Sequence, residues 1–134
     1  MTVSAIRTGL ATRLATITGL RTSAYVPDSP EPPVAIVIPQ TVTFDSTFAR
    51  AMDEYEFSIL VLVGRVSDRM AQSTMDAYCN PSGASSIKAA VEGDKTLGGS
   101  AFDCRVTSIR NYAQTPVGDQ MYLSAEFVVQ VYAQ

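Results

Sequence analysis

The 134-residue sequence contains no histidine, no tryptophan and only two cysteines. Without an imidazole, Ser-His-Asp and Cys-His nucleophilic arrangements have no general base within this chain. The cysteines, Cys79 and Cys104, form no CxxC pair. A zinc site would need carboxylates plus two distant thiols, which argues against one. The expected state is two reduced, mostly buried thiols, with a disulfide as the alternative. Long apolar runs are also lacking. "VAIVI" and "ILVLV" are strand-sized, far short of the roughly 20 residues of a membrane-spanning helix. The N-terminus has no compact apolar core, so no secretory signal is expected. Its Arg/Ser/Thr-rich, acid-poor character loosely resembles a mitochondrial transit peptide, but a folded amphipathic helix explains it as well.

Positive charge is scarce too. The net charge is −3, with a pI of about 4.8. This gives no global electrostatic drive toward nucleic acid or an anionic membrane. The basic residues are unevenly placed: residues 1–27 carry Arg7, Arg13 and Arg21 and no acid. No aromatic-basic interleaving of the kind that binds single strands is present.

The residues that are present describe a folded chain. Hydrophobic residues make up 46% and charged residues 17%, which suits one domain over residues 1–134. Val3, Ile6, Leu10, Leu14 and Ile17 recur at spacings of three and four and share one stripe. This predicts an amphipathic helix over Ser4–Thr18, stopped by Gly19. Its opposite face is small rather than charged: Ala5, Thr8, Gly9, Thr12, Ala15 and Thr16. Two readings fit that face, a bland solvent surface and a close-packing surface for another element or subunit.

Four prolines (Pro27, Pro30, Pro32, Pro33) make the next stretch an irregular surface connection. It leads into a buried strand, Val34–Ile38, which Pro39 is expected to stop. Residues 40–54 read as a long hairpin-like excursion bearing Phe44, Phe48 and Met52 beside Asp45, Arg50 and Asp53. Tyr55–Val66 begins with alternation and becomes apolar on both faces, as a central strand does. A second helix follows over Asp68–Cys79, with Ser67 and Asp68 as N-cap candidates. Ala71, Thr74, Met75 and Tyr78 face inward; Arg69, Gln72, Ser73 and Asp76 face outward. Asn80-Pro81-Ser82-Gly83 breaks this helix, and a short third helix spans Ser85–Glu92. Two long strands, Ala101–Tyr112 and Gln120–Tyr132, close the chain around a turn over Thr115–Gln120 that holds Pro116, Gly118 and Asp119. In the last strand, Met121, Leu123, Ala125, Phe127, Val129 and Val131 share one face; the other face is wetter, with Val128 the exception. The implied fold is α+β: a mostly antiparallel sheet of about four strands against an N-terminal helix and a central helix pair.

One stretch, "GDKTLGG" (Gly93–Gly99), raises the question of phosphate binding. Placing Lys95-Thr96 on the G-x-x-x-x-G-K-[ST] pattern puts its two glycines at Asp94 and Ala89. Both glycines are missing, and Asp94 adds repulsive charge. The element order is inverted as well, since a helix precedes this loop and a strand follows it. The stretch instead reads as a turn, with Gly93 as a left-handed C-cap and Gly98-Gly99 turning into the strand. Asp53, Glu54 and Glu56 form an acid cluster. Glu54 and Glu56 share a strand side, which admits a paired-carboxylate hydrolase but suits the solvated start of a strand better.

Three patterns carry a resemblance: "YVPDSPEPPVAIV", "VLVGRVSDRMAQSTMDAY" and "NPSGASSIKAAVEGDKTLGGSAFDCRVTSIRNY". In their order, the last with its Pro-Ser-Gly break, its Asp-x-Thr-Leu-Gly-Gly turn and a strand running from Val106 to Tyr112, they resemble the tail terminator proteins of long-tailed bacteriophages over roughly residues 20–134. The resemblance implies a non-enzymatic virion protein with no cofactor, assembled in the host cytoplasm into a homo-hexameric ring. Such a ring ends polymerisation of the tail tube and offers a docking surface to head-neck completion proteins. Its partners would be itself, the tail tube protein and the neck proteins. DNA would pass through the lumen only as cargo, and no membrane is involved. A head-tail connector or other neck completion protein is the alternative, and a small enzyme or binding module a weaker one. Expected partner surfaces are the excursion Thr43–Met52 (Phe44, Phe48, Arg50, Met52), the turn with Pro116 and Asp119, and the small helix face (Gly9, Thr12, Thr16).

Overall fold

The apolar stripe of the first helix fixes how the N-terminus packs. In the computed structural model, which describes residues 3–17, 20–23, 34–44, 53–65, 69–99, 101–117 and 120–133, helix α1 spans Val3–Leu14. Ile6, Leu10, Leu14 and Ile17 are all buried in the main core. The regular helix ends earlier than the sequence suggests. After Ala15 N–H donates to Ala11 O, the bonds tighten to Thr16–Arg13 and Ile17–Leu14, the 3₁₀ pattern common at helix ends. The expected stop, Gly19, lies outside the described residues, as do the four prolines and the N-cap candidates Ser67 and Asp68.

Among the described residues the sheet has five strands in the order β1-β2-β3-β5-β4. They are β1 (Arg21–Ser23), β2 (Val34–Thr43), β3 (Asp53–Arg65), β4 (Asp103–Val117) and β5 (Gln120–Ala133). β1 pairs parallel with β2, and every other pairing is antiparallel. The architecture is therefore α+β with a mostly antiparallel sheet. The strand beyond the expected four is β1, a polar three-residue piece too short to show alternation. β3 is central, as its two-sided apolar run indicates.

Pro39 does not stop its strand. β2 runs to Thr43, and the register shifts between Pro39 and Thr41. Pro39 keeps its register opposite Phe57, and the extra residue of the bulge is Gln40, next to the proline. β1 covers β2 only over Val34–Ile36, so Pro39 lies where β2 is an edge among the described residues, the place a sheet tolerates proline. The excursion thus contributes its first and last residues to a β2–β3 hairpin. Pro116 is likewise in a strand rather than a turn: it pairs with Met121, and pairing continues to Val117–Gln120. β4 is the sheet's edge, which again suits proline. Asp119 lies outside the described residues.

Helices α2 (Arg69–Cys79) and α3 (Ile87–Glu92) join α1 on one face of the sheet. There Met75, Tyr78, Ile87 and Val91 bury against Phe57, Ile59, Phe127 and Val129. Ser86 begins α3: its hydroxyl accepts from Ala89 N–H at 3.1 Å and donates to Asn80 O at 2.6 Å, an N-cap that ties the helix to the preceding break. The opposite sheet face is less wet than its pattern suggests. Val34, Ile36 and Leu62 form a second small cluster with Ile38, Leu60 and Tyr122 packed on it. Ser58 and Ser124 are buried as well, Ser58 donating to Glu126 at 3.3 Å.

Candidate functional site

The small face of α1 and the "GDKTLGG" turn, distant in sequence, form one surface. A Cβ at Gly9 would lie 2.9 Å from Leu97 Cβ and 3.0 Å from Leu97 O. Only a residue without a side chain lets the helix approach so closely. The face is therefore a close-packing surface within the chain, at least at Gly9. Around that contact lies a groove of about 570 Å³, lined by Ala5, Thr8, Thr12 and Arg13 from α1 and by Asp94 and Gly98. Thr12 turns its hydroxyl back to Thr8 O at 2.9 Å, and Thr16 does the same to Arg13 O at 2.7 Å. The two hydroxyls, expected as partner contacts, are thus engaged with their own helix.

Asp94 organises the turn. Its Oδ1 accepts from Thr96 N–H at 3.1 Å and from Thr96 Oγ1 at 2.7 Å, and its Oδ2 accepts from Gly98 N–H at 3.0 Å. The Thr96 hydroxyl, then the Gly98 and Thr96 amides, and more weakly the Arg13 charge, hold the Asp94 carboxyl below its ordinary pKa. A carboxylate that fills its acceptor sites with its own loop does not cradle a phosphate. Leu97, Gly98 and Gly99 carry the positive φ of the turn.

Gly93, by contrast, is right-handed, with φ −62°, so the expected left-handed cap is corrected. Its lack of a side chain serves Arg13, whose guanidinium would meet a Cβ there at 2.2 Å. Arg13 Nε donates to Ala90 O at 3.0 Å. The last turn of α1 thereby closes the C-terminus of α3, where a cation is favoured.

Asp94→Ala is expected to loosen this turn while leaving the sheet folded. Protection of the Thr96 and Gly98 amides from hydrogen exchange should fall most. The lowered pKa sets the pH dependence: the ordering is complete above the ordinary value of 3.8 and is lost as pH falls through the lower folded-state value. Unchanged protection at Thr96 and Gly98 in Asp94→Ala would contradict this role.

A second surface lies along β4. From Thr107 to Tyr112 every β4 side chain is exposed. Two bulges, between Val106 and Ser108 and between Arg110 and Ala113, redirect this edge. Asn111 takes positive φ in the second. Tyr112, beside it, donates its hydroxyl to Asp76 Oδ1 on α2 at 3.0 Å. Burial, then the hydrogen bond and charge of Asp76, push the Tyr112 pKa up to about 12. On the opposite sheet face Arg110 pairs with Glu126 at 3.1 Å.

Val106 shows how the edge is guarded. Its N–H donates to Glu92 Oε2 at 3.0 Å, and its C=O accepts from Lys88 Nζ at 3.4 Å. Lys88 and Glu92 pair with each other on α3. Both edge-facing groups of Val106 are therefore occupied by one ion pair. Sequence reading did not single out Lys88 or Glu92; their i,i+4 spacing was the available signal.

The remaining expected site residues are dispersed. Phe44, at the end of β2, is 71% exposed. Phe48, Arg50 and Met52 lie outside the described residues. Glu54 and Glu56 line a shallow depression of about 170 Å³ with Thr41, Thr43 and Gln130, on the sheet face away from the helices. Cys79 and Cys104 are both free. Cys104 is buried, and burial, then Asp103, Glu92 and Asp94, push its thiol up to about 11. Among the described residues, no group of three or more His, Cys, Asp or Glu could hold a metal, and no helix is long and apolar enough to cross a membrane. Exposed apolar residues that sequence reading missed are Phe102, Ile109 and Tyr112, at 50%, 40% and 45%; the bulges break the alternation that would have flagged the last two. Compared with known protein families and with curated proteins, the chain matches none.

Proposed function

We propose that this chain is a structural protein of a long-tailed phage, a tail terminator. It assembles as a ring, hexameric as the sequence resemblance implies, at the head-proximal end of the tail tube. There it ends tube growth and receives the neck proteins. One observation supports this best: large apolar side chains stand exposed at opposite edges of a single sheet, Phe44 at the end of β2 and Ile109 and Tyr112 on β4. Unlike surfaces at opposite edges suit a heterologous, head-to-tail contact, and such a contact forms a ring when its rotation closes. On this reading the protein is not an enzyme, requires no cofactor, resides in the virion and lets DNA pass without binding it.

Replacing Phe44 and Phe48 together by alanine is expected to weaken association and to abolish infectivity, while the circular dichroism spectrum stays unchanged. Ring assembly and infectivity that survive the double substitution would remove the β2–β3 tip from the interface. Electron microscopy of a deletion phage separates a terminator from a connector. Loss of a terminator leaves tails of abnormal length that do not join heads; loss of a connector leaves tails of normal length.

A further inference from the structure

Two bulges shape the β4 edge, and they are held in different ways. At the first, between Val106 and Ser108, the Thr107 hydroxyl donates to Val128 O at 3.3 Å, so this bulge is tied to its own sheet. At the second, Arg110 pairs with Glu126 and Ala113 with Ser124, which leaves Asn111 and Tyr112 opposite Ala125 alone. This bulge is tied to a helix instead, by the Tyr112 hydroxyl donating to Asp76 Oδ1 on α2 at 3.0 Å. Both ends of that tie are locally unfavourable. Asn111 has a φ of 54°, the left-handed region, which costs energy for any residue with a Cβ. Among the described residues Leu97 is the other non-glycine residue there, but Leu97 is buried whereas Asn111 is exposed. Asp76 stands in the last turn of α2, where the free carbonyls disfavour an acid. Local rules broken by residues that meet at one contact point to a role beyond folding. The surroundings let the contact open. Asp76 and Tyr112 are both exposed and neither belongs to the core. One helical turn on from Asp76, Cys79 lines an apolar void of about 340 Å³ together with Val106 and Ile109 of β4.

We propose that the Tyr112–Asp76 hydrogen bond is an autoinhibitory latch on the sheet's edge. Closed, it pins Asn111 and Tyr112 in the bulge, and a bulged edge does not accept another strand. Open, Asn111 returns to extended backbone, and the stretch from Ser108 to Ala113 offers its free N–H and C=O groups for pairing. The latch covers the part of β4 that the Lys88–Glu92 pair at Val106 does not reach. It depends neither on the ring nor on a contact at Phe44.

Tyr112→Phe tests the latch, because it keeps the ring and removes the bond. In nuclear magnetic resonance spectra the Asn111 backbone shifts should move from left-handed toward extended values. In a purified sample the only strand on offer is another copy's. Self-association with a sheet signature, followed by light scattering and thioflavin fluorescence, should therefore strengthen roughly ten- to a hundredfold, the scale of one hydrogen bond to a charged group. Asp76→Ala makes α2 a better helix, yet it should open the edge to the same extent. Asp76→Asn, whose amide oxygen still accepts, should stay close to the parent. Asn111→Gly suits the left-handed region and should partly restore the closed state of Tyr112→Phe. A Tyr112→Phe chain that melts earlier but associates no more strongly than the parent has lost only a structural bond, and that overturns the latch. Asn111 shifts that do not move overturn it too, as does association that rises equally in Asp76→Asn, which would trace the effect to the Asp76 charge.

Discussion

Gly9→Val is expected to lower stability by about 1–3 kcal/mol, the usual cost of overpacking, and to lower the melting temperature by several degrees. Helix propensity alone predicts the opposite, because glycine in a helix interior is about 1 kcal/mol worse than alanine. The contact decides the sign. A Cβ at position 9 would lie 2.9 Å from Leu97 Cβ and 3.0 Å from Leu97 O. Neither atom is the free end of a flexible side chain. Leu97 is buried and held by its N–H to Asp94 O at 3.0 Å, and Gly98 beside it is held by the Asp94 carboxylate, so the turn yields only by breaking its own bonds. Gly9→Ala should show the same sign with a smaller loss. A thermal melt of both variants checks this; a variant more stable than the parent would mean that the turn moves freely.

Gly9 also marks how far the sequence was legible. The stripe of Ile6, Leu10 and Leu14, the two-sided run in β3 and the alternation of β5 each carry a period, and a period names both the element and its buried face. Those elements were readable, and with them the α+β fold. Pro39 and Pro116 misled because proline is a local signal, whereas its tolerance depends on which strand lies at the sheet's edge, a property of the whole topology. Gly93 misled for a similar reason: its small size serves Arg13 from α1, not its own φ. The small face of α1 was visible, but its partner Leu97 lies far along the chain, and no periodicity links the two. The β4 surface was hidden by two bulges, each of which shifts the alternation by one residue. Phe44 stood out because a large apolar residue near a hairpin tip needs no register to be noticed.

Glu92→Ala is expected to cost about 1.5–3 kcal/mol, the scale of a lost hydrogen bond to a charged group, and to change how the protein associates. A strand at a sheet edge offers unpaired N–H and C=O groups to other chains. At Val106 both groups are taken by Glu92 and Lys88, so no strand can add there. Alanine at 92 frees the Val106 N–H and leaves Lys88 without its partner. Two signs should appear together: faster hydrogen exchange at the Val106 amide, and sheet-type aggregation detected by light scattering and thioflavin fluorescence. Glu92→Gln should lie between, because an amide oxygen still accepts from Val106 but makes no ion pair. Burial alone would raise the Glu92 pKa. The hydrogen bonds from Lys88 and Val106, with the Lys88 and Lys95 charges, outweigh it and hold the value below the ordinary 4.5. The guard is therefore complete above pH 4.5 and fails as pH falls through the lower folded-state value, so acid should mimic Glu92→Ala in the unmodified chain. The exposed edge and the proposed assembly contact at Phe44 are separable. Aggregation caused by losing the guard must persist in Phe44→Ala, whereas ordered assembly must not. Val106 exchange that is unchanged in Glu92→Ala would show that the edge is protected by something other than this ion pair.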